Sequence, residues 1–203
     1  MRCKSNAAQP RWLWVMATIP ELPGGTAGVT ASHPAFAAAI ARHGQLIFVH
    51  TKNNSALSHR LELRLIASFA AAGLDFASHA KFIPLQNMEA FDGLLVRADL
   101  CLDTISFSGF NTAMQALGQG APLVAYEGAF MRGCLASGTL RQMGLHELVA
   151  TNDAEFVAIA TTLARDVAYR ATIRARIMAE TPKLYDDRDA VEAFQEEIRS
   201  LRK

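Results

Sequence analysis

The chain has 203 residues, with 20 lysines and arginines against 19 acids, for a formal net charge of +1. That balance excludes a global electrostatic attraction to nucleic acid or to an anionic membrane surface. With 51% hydrophobic and 19% charged residues the chain can bury one sizeable core, which excludes disorder as its dominant state and suits an α/β protein whose central strands are covered on both faces.

Cys3, Cys101 and Cys134 are odd in number and have no C-x-x-C spacing, so neither a disulfide framework nor a zinc site is indicated. A reducing, cytoplasmic setting is expected. The apolar stretch WLWVMATIP at 12–20 is too short to span a bilayer and contains a proline. Its two tryptophans and the lack of a small-residue cleavage site argue against a signal peptide, despite Arg2, Lys4 and Arg11 before it.

In chain order, residues 1–11 read as a loose leader, 12–17 as an edge or first strand, and PELPGGTAGVTAS as a loop. HPAFAAAIARHG reads as a helix with Ser32 as its cap, Pro34 in its first turn and Gly44 at its close. QLIFVHT is a buried strand. Ser55 opens a second helix, in which Leu57, Leu61, Leu65, Ile66 and Phe69 recur at three- and four-residue steps until Gly73 stops it. Strand AKFIPL, a helix capped by Asn87, and strand DLCLDT follow. Beyond them the pattern predicts a helix at 111–117, strand PLVAY, a helix at 129–143 and strand ELVA. A long helix opened by Asn152 or Asp153 comes next, then a final helix with acids first and bases last. Such alternation implies a doubly wound, mainly parallel, Rossmann-like sheet. The expected division is a leader, first strand and loop at 1–31, then a single Rossmann-like domain at 32–203.

Ligands of such sheets bind beyond the carboxyl ends of the strands, often at helix N-termini whose free amides favour anions. SGFNTAMQAL, directly after DLCLDT, has that placement. Gly109 lets the backbone approach a phosphate, the amides of Asn111 and Thr112 and the Thr112 hydroxyl donate to it, and Gln115 lies one turn on, within reach of a sugar hydroxyl. The plain alternative is that Ser108 or Asn111 simply caps a helix, and spacing alone leaves the two readings level. No G-x-G-x-x-G, Walker loop or G-x-S-x-G occurs. Arg132, after strand PLVAY, is a candidate for a diphosphate or substrate contact. The six histidines lack metal-ligand spacing, and His33 is set apart only by opening a helix after a Gly-rich loop.

Six blocks carry a family resemblance. F-I-P-L at 82–85, ADLCLDT at 98–104, G-x-N-T at 109–112, G-A-P-L-V at 120–124, EGAFMRG at 127–133 and RQMGLHELVA at 141–150 resemble, in order, the C-terminal half of the SPINDLY-like O-linked N-acetylglucosamine transferases. Similar blocks occur in bacterial enzymes that glucosylate asparagine. The resemblance implies the donor-binding half of a GT-B glycosyltransferase, which takes a UDP-sugar as donor substrate without a metal or other cofactor. It implies a nucleotide-sugar and a protein acceptor as partners, and a second domain or chain to supply the other Rossmann half, with no nucleic acid or membrane.

By the same resemblance Gly109, Asn111 and Thr112 hold the diphosphate, Gln115 stands where an acid binds the ribose, Phe82, Pro84 and Leu85 border the base, and Arg132 falls in the M-R-G block. The family's Q-x-x-x-K-x-H-P stretch is matched by AGVTASHP, which keeps His33 and Pro34 but has Ala27 for the glutamine and Ala31 for the lysine that neutralises the leaving diphosphate. His33 is the remaining catalytic candidate. Phe110 fills a position that is often His or Gly. A working transferase half, a degenerate domain that acts by binding, and another sugar-nucleotide reaction such as epimerisation are the three functional readings.

Overall fold

The computed structural model describes residues 12–15, 33–50, 55–105, 107–185 and 188–201. The leader, the end of the strand expected at 12–17 and the whole loop before His33, with Ala27, Ala31 and Ser32, lie outside the described residues.

Among the described residues six strands form one parallel sheet: β1 (Trp12–Val15), β2 (Gln45–His50), β3 (Ala80–Pro84), β4 (Leu100–Leu102), β5 (Leu123–Tyr126) and β6 (Val149–Ala150). Their order is β3-β2-β1-β4-β5-β6, so the chain reverses its direction of travel across the sheet between β3 and β4. β1 is therefore the first strand but not an edge strand: it pairs with β2 on one side and β4 on the other. The right-handed crossover that parallel strands favour places α1 (His33–Ala41) and α2 (Ser55–Ala71) on one face, where they pack on each other. The opposite face takes α4 (Met88–Arg97), α5 (Phe110–Gly118) and α6 (Leu135–Gln142). α7 (Asp153–Arg165) packs on β4, β5 and β6 and against α1, which covers the second half of the first face. Strands covered on both faces need apolar side chains throughout, and Leu100, Cys101 and Leu102 of β4 and Leu123, Val124 and Ala125 of β5 are all buried.

Helix limits follow local chemistry. Asn87 and Asn152 cap α4 and α7 with their side chains, and Gly73, at φ 71°, follows α2. A four-residue helix, α3 (Phe76–His79), capped by Asp75, was not foreshadowed by periodicity. The long helix expected after Asn152 is two: Asp166 ends α7 and its carboxylate accepts the Tyr169 amide to start α8 (Val167–Glu180). The helix expected at 129–143 begins only at Leu135. Before it, 131–133 form a 3-10 turn, and Gly128 lies so close to Gly133 that a Cβ would sit 2.9 Å from the Gly133 Cα. Of strand ELVA only Val149–Ala150 pairs, because 146–148 form another 3-10 turn.

α9 (Pro182–Tyr185) and α10 (Arg188–Ser200) close the chain, and Val191, Phe194 and Ile198 of α10 are exposed. Arg170 of α8 is buried; it pairs with Asp99 at 2.9 Å and donates to the carbonyls of Leu163 and Ala164 at the end of α7, tying both helices to the start of β4. No helix among the described residues is long and apolar enough to cross a membrane.

Candidate functional site

The topological switch falls between β1 and β4, and in open parallel sheets the crevice beyond that point is the usual ligand position. On the β4 side it is walled by the loop 103–109 and the start of α5. The Asp103 amide continues the ladder by donating to Val124 at 2.9 Å, and its side chain turns inward, where it is 8% exposed. One carboxylate oxygen accepts the Gly109 amide at 3.1 Å; the other has no hydrogen-bond partner among the described residues. Burial pushes the Asp103 carboxyl from its ordinary 3.8 to about 6, against the pull of the Ser108 hydroxyl and the Gly109 and Thr104 amides. Thr104 closes the same loop by donating its hydroxyl to the Phe107 carbonyl at 2.5 Å.

α5 starts at Phe110 with Gly109 as its cap residue and no side-chain cap. Ser108, a candidate cap from the sequence, is used elsewhere: its hydroxyl oxygen accepts the Ala136 amide at the start of α6 at 2.8 Å, and its amide donates to the Arg132 carbonyl at 2.7 Å. Asn111 sits inside the first turn, exposed, and does not cap either. The first amide bonded back into α5 is that of Ala113, to the Gly109 carbonyl at 2.8 Å. The amides of Phe110, Asn111 and Thr112 are therefore the donors of this helix start that have no partner among the described residues, at its positive end. Gly109 contributes space rather than a donor, since Asp103 already takes its N–H.

The loop after β5 backs this start. Gly128 donates to the Gly133 carbonyl at 3.0 Å, the Cys134 thiol donates to the Gly128 carbonyl at 2.8 Å, and Glu127 accepts two bonds from Arg141 at 2.6 and 3.1 Å. Arg132 is exposed, with its guanidinium 5.0 Å from the centre of the Phe130 ring, so its backbone is fixed against Ser108 while its charge stands at the rim.

Gln115 is half-buried, and its Nε2 lies 3.2 Å from the Sδ of Met88, the first residue of α4. That contact brings the loop after β3 to the flank of α5, although β2 and β1 stand between β3 and β4 in the sheet. Of the residues expected to border a base, Pro84 and Leu85 are exposed there. The Phe82 ring instead stacks on Phe48 at 5.0 Å and lies 6.2 Å from Phe76, so its side chain belongs to the core and only its backbone edge is near. His33 opens α1, the helix that follows β1; only its backbone is described. Among the described residues no cluster of three or more His, Cys, Asp or Glu is placed to hold a metal.

Asp103 and the Ser108–Ala136 bond are the parts that sequence reasoning did not single out. An acid ending an otherwise apolar central strand was a visible signal for the first; nothing local announces the second.

The sheet order and the carboxyl-end crevice at its switch point are those of a Rossmann-like fold, as found in each half of a GT-B glycosyltransferase. Residues 89–192, which run from α4 into α10 and include both loops described above, match the model of glycosyl transferase family 41, and the chain belongs to that family. It is 38% identical over 85 residues to a UDP-N-acetylglucosamine peptide N-acetylglucosaminyltransferase of Caenorhabditis elegans, a match covering 41% of this chain and 7% of that protein. To the probable UDP-N-acetylglucosamine peptide N-acetylglucosaminyltransferase SPINDLY of Arabidopsis thaliana it is 32% identical over 127 residues, covering 59% of this chain and 13% of that one. Among solved structures, a K341M mutant of the Thermobaculum terrenum O-GlcNAc transferase superposes with a TM-score of 0.68 at 23% identity, over 88% of this chain and 35% of that chain. The chain thus spans a minor part of the length of the relatives it matches.

Proposed function

We propose that this chain is the nucleotide-sugar-binding half of a family 41 glycosyltransferase, and that the start of α5 holds the diphosphate of a UDP-sugar whose sugar passes to a protein acceptor. The observation that carries this reading is a helix start at the topological switch with no side-chain cap among the described residues, where the candidate cap Ser108 is committed to α6. The amides of residues 110–112 and the Thr112 hydroxyl are the donors for the phosphate oxygens. One turn on, Gln115 offers an amide to the ribose, and the Met88 contact leads from it towards Pro84 and Leu85 as the border of the base.

In sugar transfer the bond from the anomeric carbon to the diphosphate breaks, and negative charge grows on the leaving oxygen. Backbone amides and a helix dipole fixed at that place stabilise the charge without reorganising. Arg132 stands at the rim as a further cation for the donor or the acceptor. The other Rossmann half, on a partner domain or chain, completes the acceptor side.

A second reading is favoured by one sequence feature, Ala31 at the place of the family lysine, which lies outside the described residues. Under it the domain binds the nucleotide-sugar and acts by binding alone. Calorimetric titration with UDP and with UDP-N-acetylglucosamine tests the common part: saturable binding is expected, weakened by Thr112→Ala, which removes the hydroxyl donor, and by Phe110→Pro, which removes one amide at a helix position that tolerates proline. No heat of binding at millimolar ligand, or unchanged affinity in both variants, rules out the site. Release of UDP from the sugar nucleotide in the presence of acceptor then separates transferase from binding module, and an Ala31→Lys variant that gains turnover identifies the missing charge as the reason.

A further inference from the structure

β4 ends in a carboxyl group that is poorly placed for stability. Asp103 follows three buried apolar residues, is buried itself, and leaves its Oδ2 without a hydrogen-bond partner among the described residues. Burying a carboxyl is a cost, and an apolar residue at this position would avoid it. The other oxygen reaches across the whole 103–109 loop to accept the amide of Gly109, the residue from which α5 starts. Among the described residues no side chain caps that helix, and this bond from behind is a described side-chain contact at the residue from which it begins.

We propose that Asp103 is the positioning residue of the phosphate cradle: by holding the Gly109 amide it sets the start of α5 and aims the amides of residues 110–112 at the donor's diphosphate. The proposal rests on the reading of α5 given above. Asp103 acts through Gly109 and the helix start rather than by touching the ligand.

The groups that act on its carboxyl are neutral: the Ser108 hydroxyl and the Gly109 and Thr104 amides. Two residues back on the same strand, burial pushes the Cys101 thiol up to about 12 and keeps it uncharged at neutral pH. From the loop after β5, Arg132 meets Ser108 with its backbone carbonyl while its guanidinium lies over Phe130. The bond to Gly109 thus changes from a neutral to a charged acceptor as pH rises through about 6.

Two variants separate the acceptor from the charge. Asp103→Asn keeps an oxygen for the Gly109 amide and removes the charge; Asp103→Ala removes both. With UDP-N-acetylglucosamine as the probe, whose diphosphate diester loses no proton in this range, affinity at neutral pH is expected to stay within about threefold of the parent in Asp103→Asn and to fall roughly tenfold or more in Asp103→Ala. Equal affinity in Asp103→Ala and the parent, or an equal loss in both variants, overturns the proposal. The amide chemical shift of Gly109, followed without ligand, supplies an independent arm. It is expected to titrate with a midpoint near 6 in the parent and to be flat over that range in Asp103→Asn. A Gly109 amide shift that does not respond to pH between about 3 and about 8 overturns the contact, and with it the proposal, even if Asp103→Ala does not fold. If the parent binds no sugar nucleotide while Gly109 titrates as expected, the phosphate reading fails and the contact stands.

Discussion

Replacing Asp103 by asparagine should change how stability depends on pH, and the change can be worked from the structure. Its carboxyl moves from 3.8 to about 6 because burial disfavours the ionised form. A carboxyl raised on folding binds its proton more tightly in the native state, so its contribution to stability is fully present below 3.8 and is lost as pH rises through about 6. At about 1.4 kcal/mol per pH unit the whole loss is about 3 kcal/mol. About 2 kcal/mol of it falls between about pH 4.5 and about pH 7.5. Asparagine does not titrate, and the cost of an unpartnered amide in its place is the same at both pH values, so it cancels from the comparison. Urea unfolding of parent and variant at the two pH values should show the variant gaining about 2 kcal/mol relative to the parent as pH rises. Parallel pH profiles would refute the burial of an ionisable carboxyl at the end of β4. A variant that loses ground as pH rises would mean that ionised Asp103 is paired with a cation, which contradicts the neutral surroundings described for it.

Other substitutions probe the frame around the crevice. Ser108→Ala leaves the buried Ala136 amide at the start of α6 without its acceptor and should cost about 1–2 kcal/mol, read from the urea midpoint, while unbolting α6 from the 103–109 loop. Gly128→Ala places a Cβ 2.9 Å from the backbone of Gly133 and should destabilise by about 1–3 kcal/mol in the same assay, with Gly128→Ser no better. Arg170→Ala leaves Asp99 and the last carbonyls of α7 without their buried donor and should cost about 3–5 kcal/mol, seen as a lowered Tm, with no change in affinity for UDP once corrected for the folded fraction.

Much of the fold was legible because its signals are local or periodic. Apolar runs such as DLCLDT and PLVAY can only be buried strands in a sheet covered on both faces, and Asn87, Asn152 and Gly73 mark helix limits through chemistry that acts within a few residues. What was not legible depends on distant partners. Nothing near Trp12–Val15 says that it pairs with both β2 and β4, so its central place could not be separated from an edge. The apolar spacing of 129–143 hid the close approach of Gly128 to Gly133, which delays α6 to Leu135. At the site, the sequence placed Asn111 and Thr112 at a helix start but left Ser108 free to cap it. Only the long-range bond from the Ala136 amide shows that the Ser108 hydroxyl serves α6 instead. Phe82 is the reverse case, a residue whose neighbours in sequence point to the crevice and whose ring is held in the core by Phe48.

The central claim is that the first turn of α5 holds a nucleotide diphosphate, and amide chemical shifts recorded while the parent chain is titrated with UDP test it most directly. The largest changes are expected at Phe110, Asn111 and Thr112, with smaller ones at Gln115 and around Leu85. Absence of any change at millimolar UDP, or changes confined to other parts of the sheet, would contradict it.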